Sequence, residues 1–247
     1  MYRSRNPTLT DSTFDKSNYS ETSWWNEDSN LMTMEGTVEK TGILLIITTT
    51  FAIATYFYFP SLYIIGFIGG FITAMITIFS KSTSPILICS YAFFEGIALG
   101  GLTFFLETAV KMEGLGILAA ALTFIILGSM LAIYRAGWIS WDRNLAIAVY
   151  SSLGAIAVIY IISLIGALLG FQVPLIHGNG PVGIVFSLFV IGIGSLCLVA
   201  DFDFIEKGVY RGAPKQLEWR AAFGLMVTLI WLYIEILNLL AKLASRR

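Results

Sequence analysis

Hydrophobic residues along the chain fall into seven long runs, separated by short polar or charged breaks. The runs cover residues 42–59, 61–80, 85–106, 115–134, 145–170, 182–204 and 221–241. A helix needs about 20 consecutive, mainly apolar residues to cross the hydrocarbon core of a bilayer. Each run is close to that length, so the pattern predicts an all-α integral membrane protein with about seven transmembrane helices.

The positive charges in the breaks indicate how these helices are oriented. With the N-terminus inside, Lys111 is the single basic residue of the outer loops, whereas the inner side holds Lys40, Lys81, Arg135, Arg143, Lys207, Arg211, Lys215 and Arg220. Lys and Arg concentrate on the cytoplasmic side of membrane proteins, so the N-terminus is predicted to be cytoplasmic. Seven spans would place Lys242, Arg246 and Arg247 outside. Six spans plus one re-entrant segment therefore remain an alternative.

Composition supports the membrane class and argues against a nucleic-acid partner. Hydrophobic residues make up 57% of the 247 residues and charged residues 13%, and the mean hydropathy is +0.79. Soluble domains are about 25% charged, so the main partner predicted for this chain is the lipid bilayer. The net charge of −1 does not provide the positive field that attracts nucleic acid.

The first 40 residues differ from the rest of the chain. They are rich in Ser, Thr, Asn and Asp and contain no apolar segment typical of a signal peptide. Such a segment cannot bury enough apolar surface to offset the entropy lost on ordering. We therefore expect a disordered cytoplasmic tail over residues 1–40, available to a protein partner, and a seven-helix domain over residues 41–247.

Three carboxyl groups, those of Glu95, Asp201 and Glu235, lie within the apolar runs. Ionisable residues inside a membrane are costly and usually functional. Asp201 has Ile205 four residues later, so it needs a partner on another helix or a proton. Glu95 has an alternative role as a neutral group that hydrogen-bonds to nearby backbone. Asp203 lies nearer the end of its run.

Local spacing suggests partners for Asp203 and surroundings for Glu235. Asp203 precedes Lys207 by four residues, so the two can pair at the membrane edge. Glu235 belongs to a polar stripe at helical spacing, formed by Thr228, Trp231, Glu235, Asn238 and Lys242. Such a stripe should face other helices or a wet cavity. The alternative is that these residues only hold helices together.

Carboxyl groups that lie close together in a membrane suggest a pH-sensitive latch. Two such groups in a low-dielectric medium tend to share one proton, so their contact changes with pH. A hard cation such as Ca²⁺ also prefers carboxylate and carbonyl oxygens.

Several segments resemble the Bax inhibitor-1-like (transmembrane BAX inhibitor motif) family. The resemblance is carried by Val199–Glu206, Gly212–Lys215, Glu218–Leu225 and Leu232–Leu240, with Tyr91–Gly96 matching the third span of the family. Asn6–Pro7 and the stretch from Met34 to Gly42 resemble a bacterial branch, which implies a bacterial inner membrane. The resemblance implies a bundle of seven helices with the last helix in the centre.

The resemblance also implies a pH-sensitive calcium leak, gated by an acidic pair on the last two helices. Asp201 matches the aspartate of the sixth helix and Glu235 the acidic residue of the seventh, where many members have aspartate. Lys81 stands where some members have a basic residue that could compete for Asp201. Calcium would be the permeant ion, and no cofactor is expected.

Two other classes of function are alternatives to a leak. Some relatives are thought to act in stress survival or membrane-protein quality control, so a non-conducting regulator or scaffold is the main alternative. An enzyme is not expected. Val199-Ala-Asp201 lacks the Gly-x-Gly-Asp context of intramembrane aspartyl proteases, and the single histidine, His177, lies in a loop. Cys89 and Cys197 fall in apolar runs, too few for a disulfide framework or a zinc site.

Overall fold

The computed structural model describes residues 31–170, 178 and 180–246. Within them the chain forms seven long helices: α1 (Met34–Tyr58), α2 (Tyr63–Phe79), α3 (Pro85–Val110), α4 (Leu115–Arg135), α5 (Arg143–Leu168), α6 (Pro181–Tyr210) and α7 (Leu217–Ala244). A 3₁₀ turn, Pro60–Leu62, leads into α2. All seven are long and apolar enough to cross a membrane, so the predicted fold class is confirmed.

The first helix begins earlier than predicted. It starts at Met34 rather than near residue 41, because Thr33 caps it by accepting a hydrogen bond from the Gly36 N–H at 2.9 Å. The expected disorder is therefore wrong for residues 34–40, which form the first turns of α1. Residues 1–30 of the expected tail, and His177, lie outside the described residues.

The described residues pack as two compact units. The first unit comprises the residues up to Phe104 together with Asp201–Val227. Its helices α1 and α3 approach closely because α3 carries glycines at their contact: a Cβ on Gly96 would clash with the backbone of Thr48, and one on Gly100 with that of Ala52. Small residues of this kind let transmembrane helices pack backbone to backbone.

The second unit comprises Phe105–Ala200 together with the described residues from Thr228 onward. Its core is built from α5 and α6, where Val149 and Ile156 pack with Val190 and Ile193. Trp231 of α7 packs against this cluster. Aliphatic side chains that interdigitate in this way fix how α5 and α6 face each other.

The last helix is the most buried of the described helices. In its most apolar 18-residue window 67% of the residues are buried, against 50% for α3 and α6 and at most 22% for the other four. The central position that the family resemblance implies for this helix stays a prediction. A helix covered by protein rather than lipid can also carry polar side chains at lower cost.

Candidate functional site: carboxyl groups buried in the helices

Glu235 is held by hydrogen-bond donors within the second unit. Its side chain on α7 is 7% exposed, and its Oε1 accepts a hydrogen bond from the hydroxyl of Tyr160 on α5 at 2.6 Å. Trp231 stands about one turn earlier on the same face of α7. One donor in a known position, on the neighbouring helix α5, therefore orients this carboxyl group.

Several members of the polar stripe of α7 contact other parts of the protein. Beyond Glu235, its outermost member Lys242 donates from Nζ to the Ser187 hydroxyl at 2.9 Å and to the Gly183 carbonyl at 3.2 Å. Both partners lie near the start of α6. The Lys242 ammonium group is therefore bound by groups of the protein. Its charge is a weaker guide to the orientation of the last helix than the charge of a free loop lysine.

Asp201 is also deeply buried, in the first unit. It lies on α6 with 3% of its surface exposed, and its neighbours Phe202 and Ile205 are buried as well. The expectation that Asp201 meets a partner on another helix or holds a proton stays a prediction. The pairing of Asp201 with Glu235 stays a prediction.

Asp203 has the surface role that the spacing predicted. Its Oδ2 lies 2.5 Å from Nζ of Lys207, one turn later on the same helix, and the Lys207 side chain is 51% exposed. An exposed ion pair of this type is common at protein surfaces, and it accounts for the Asp203 carboxylate without a bound metal ion. Asp203 is therefore a weaker candidate for ion binding than its neighbour Asp201.

Glu95 faces α2 within the first unit. Tyr91 stands one turn earlier on the same face of α3. The Glu95 carboxyl group lies against Gly70 of α2, so close that a Cβ there would come within 2.7 Å of Oε1. The alternative role of Glu95, a neutral group hydrogen-bonded to nearby backbone, stays a prediction.

Lys81 ends the second helix region in a left-handed conformation, with φ at 51°. Its N–H donates to the Ile78 carbonyl at 3.3 Å, which terminates the helix. The side chain is exposed, and among the described residues no ion pair joins it to Asp201. Competition of Lys81 for Asp201 stays a prediction.

Sequence reasoning missed a buried charged cluster at the start of α7. Glu218 is 0% exposed, and its Oε2 lies 2.5 Å from Nζ of Lys40 on α1. Arg220 is 2% exposed and donates to the Thr77 carbonyl at the end of α2 at 3.4 Å. In the sequence these charges flank the apolar runs and resemble loop residues, although Glu218–Leu225 and Met34–Gly42 both carry the family resemblance.

The described residues contain no group of three or more His, Cys, Asp or Glu side chains that could hold a metal ion. Cys89 and Cys197 are half-buried thiols without a disulfide bond. Calcium in the predicted leak would be transported rather than resident, so it does not need such a cluster.

The chain matches the family model described as Bax inhibitor 1 like over residues 6–245, nearly its whole length. No curated protein matches the sequence.

Proposed function

Since the chain belongs to the Bax inhibitor-1-like family, we propose that this multi-pass membrane protein is a pH-sensitive calcium leak controlled by Asp201 and Glu235. One observation carries the proposal: both carboxyl groups are buried on apolar helices, with 3% and 7% of their surfaces exposed. Carboxyl groups inside membrane-spanning segments are costly and mark ion pathways and proton relays.

The surroundings of Glu235 support a response to protons. An ionised carboxylate accepts hydrogen bonds only, whereas a protonated one donates as well. The Tyr160 hydroxyl donates to Glu235, an arrangement that suits the ionised form. Protonation would remove one acceptor position and weaken a contact between α5 and α7. A calcium ion would instead find carboxylate oxygen, its preferred ligand.

The proposal places the protein in a bacterial inner membrane with its N-terminus in the cytoplasm. The support is the concentration of Lys and Arg in the loops on one side of the spans. It assigns no enzymatic reaction and no resident cofactor to the chain, with calcium as the permeant ion.

Calcium influx into liposomes tests this proposal. The purified chain is reconstituted into vesicles that contain a calcium indicator, and influx is recorded from acid to mildly alkaline pH. Asp201→Asn and Glu235→Gln each remove one charge with little change in shape. Asp203→Asn is the matched control, because it removes the same charge two residues away from Asp201, at an exposed ion pair.

We expect a pH-dependent flux whose profile changes in both test variants and stays the same in Asp203→Asn. Flux that is absent at every pH from a folded and inserted chain would reject the leak. A flux that responds equally to all three substitutions would reject the assignment of Asp201 and Glu235.

A non-conducting regulator or scaffold is the second candidate. It is favoured by one observation: residues just after the tail are bound to the protein, since the Met32 N–H donates to the Ala213 carbonyl at 2.7 Å. Such an anchor would present a tail to a protein partner. Deletion of residues 1–30 would then abolish the regulatory role but leave a calcium leak intact, which separates the two functions.

A further inference from the structure

The segment that precedes α1 is attached to the connection between α6 and α7. Leu31 forms an isolated antiparallel bridge with Pro214, and the Met32 N–H donates to the Ala213 carbonyl at 2.7 Å. The Met32 side chain is 2% exposed and belongs to a cluster with Phe204, Ile205, Ala213, Leu217 and Ala221. The chain before α1 thus contributes both backbone and side-chain contacts to this connection.

Glu218 fastens the same segment from the side of α7. Its Oε1 accepts hydrogen bonds from the Thr33 N–H at 2.9 Å and from the Thr33 hydroxyl at 3.0 Å, while its Oε2 pairs with Lys40 at 2.5 Å. Gly36 leaves room for this carboxylate, because a Cβ at that position would overlap it. The Lys40 ammonium also lies 5.7 Å from the ring centre of Trp219.

We propose that Leu31–Lys40, held on Glu218 and Ala213, is an N-terminal clasp that keeps the leak closed, and that release of the clasp opens it. This inference rests on the proposed leak function. The connection that the clasp binds is short and joins the helices that carry Asp201 and Glu235. Because this connection joins the end of α6 to the start of α7, a clasp bound to it restricts movement of one helix end relative to the other.

The chemistry of the clasp suits a two-state contact. Glu218 is fully buried, and a buried carboxylate without its cation is strongly destabilised. Loss of the Lys40 contact therefore weakens the hold on Glu218 and favours the state in which the segment leaves and water reaches the carboxylate. If the segment served only as a structural contact, it would have the same partners. Locking it in place would then leave the rate of calcium leak unchanged.

Cysteine labelling measures whether the clasp is bound. Native thiols are removed by Cys89→Ala and Cys197→Ala, and Met32→Cys places a single thiol at a site that is 2% exposed in the native chain. A water-soluble maleimide should label it slowly. Lys40→Met should accelerate labelling by about tenfold or more, since Glu218 loses its cation. Lys207→Met, at an exposed ion pair, should leave the rate unchanged.

A conservative variant separates loss of charge from loss of folding. Lys40→Arg keeps the positive charge and the reach to Glu218, so it should label as slowly as the native chain. If Lys40→Arg labelled as fast as Lys40→Met, the ion pair would not be what holds the segment, and the clasp would be rejected.

A reversible lock tests control of the leak. Met32→Cys and Ala213→Cys place thiols on residues whose backbones are hydrogen-bonded at 2.7 Å. In liposomes, the oxidised chain should pass calcium at least about tenfold more slowly than the same chain after reduction. Lys40→Met should pass it faster than the native chain.

The outcomes distinguish the clasp from the leak itself. A native flux that neither the lock nor Lys40→Met alters would overturn the clasp and leave the leak standing. Absence of flux in every variant, with labelling still faster in Lys40→Met, would overturn the leak and with it the clasp's control. Slow flux on oxidation, restored by a reductant, supports both.

Discussion

Two ion pairs of equal length should differ several-fold in what they contribute to stability. The nitrogen–oxygen distance is 2.5 Å both in Lys40–Glu218 and in Lys207–Asp203. The side chains of the first pair are 13% and 0% exposed, those of the second 51% and 16%. Geometry is therefore matched and burial is the variable.

The expected magnitudes follow from this burial. An exposed pair one helical turn apart contributes about 0.3–0.5 kcal/mol, which is our expectation for Lys207–Asp203. Removal of one partner from a buried pair costs about 3–5 kcal/mol. For Lys40–Glu218 the cost should be lower, because Thr33 still donates to position 218 and Lys40 remains near the Trp219 ring. We expect a coupling energy of about 2 kcal/mol.

Two double-mutant cycles measure both couplings. The first combines Lys40→Met with Glu218→Gln, and the second combines Lys207→Met with Asp203→Asn. The free energy of unfolding of each single and double variant is measured in one detergent by denaturant titration. The difference between the double variant and the sum of the singles is the coupling energy.

The reasoning is refuted if the two coupling energies agree within about 0.5 kcal/mol, the usual error of such cycles. Ionic strength provides a second check, because salt screens exposed charges much more than buried ones. The coupling of Lys207–Asp203 should disappear in high salt and that of Lys40–Glu218 should persist. Loss of both couplings in salt would show that water reaches Glu218.

Further predictions concern helix packing and the site. Gly100→Ala should lower the free energy of unfolding by about 1–3 kcal/mol, because its Cβ would overlap the backbone of Ala52. Gly128→Ala is the control, because nothing lies within 4 Å of its Cβ; it should be neutral or stabilising by up to about 1 kcal/mol. Equal losses of unfolding free energy in the two variants would contradict the close approach of α1 and α3 at Gly100. Tyr160→Phe removes one donor to Glu235 and should cost about 0.6–1.7 kcal/mol and change the pH profile of calcium flux; an unchanged profile would separate Tyr160 from gating.

The sequence by itself determined the features that depend on near neighbours along the chain. The positions of a span that face lipid must be apolar, so apolar runs locate all seven helices, although several helix ends lie outside the runs. Residues four apart lie on one face of a helix, so the Asp203–Lys207 pair and the polar stripe through Glu235 could be predicted without any tertiary information. The start of α1 was missed because its first turns are polar.

Only the tertiary structure decided which residues meet across helices. Lys40 and Glu218 are 178 residues apart, and both looked like charges at the ends of spans. The same holds for Tyr160 with Glu235 and for Gly70 with Glu95. Hydropathy predicts that a helix crosses the membrane. It does not predict which helix lies beside it or how it is rotated about its own axis. Those choices come from side-chain packing, which has no counterpart in the one-dimensional pattern.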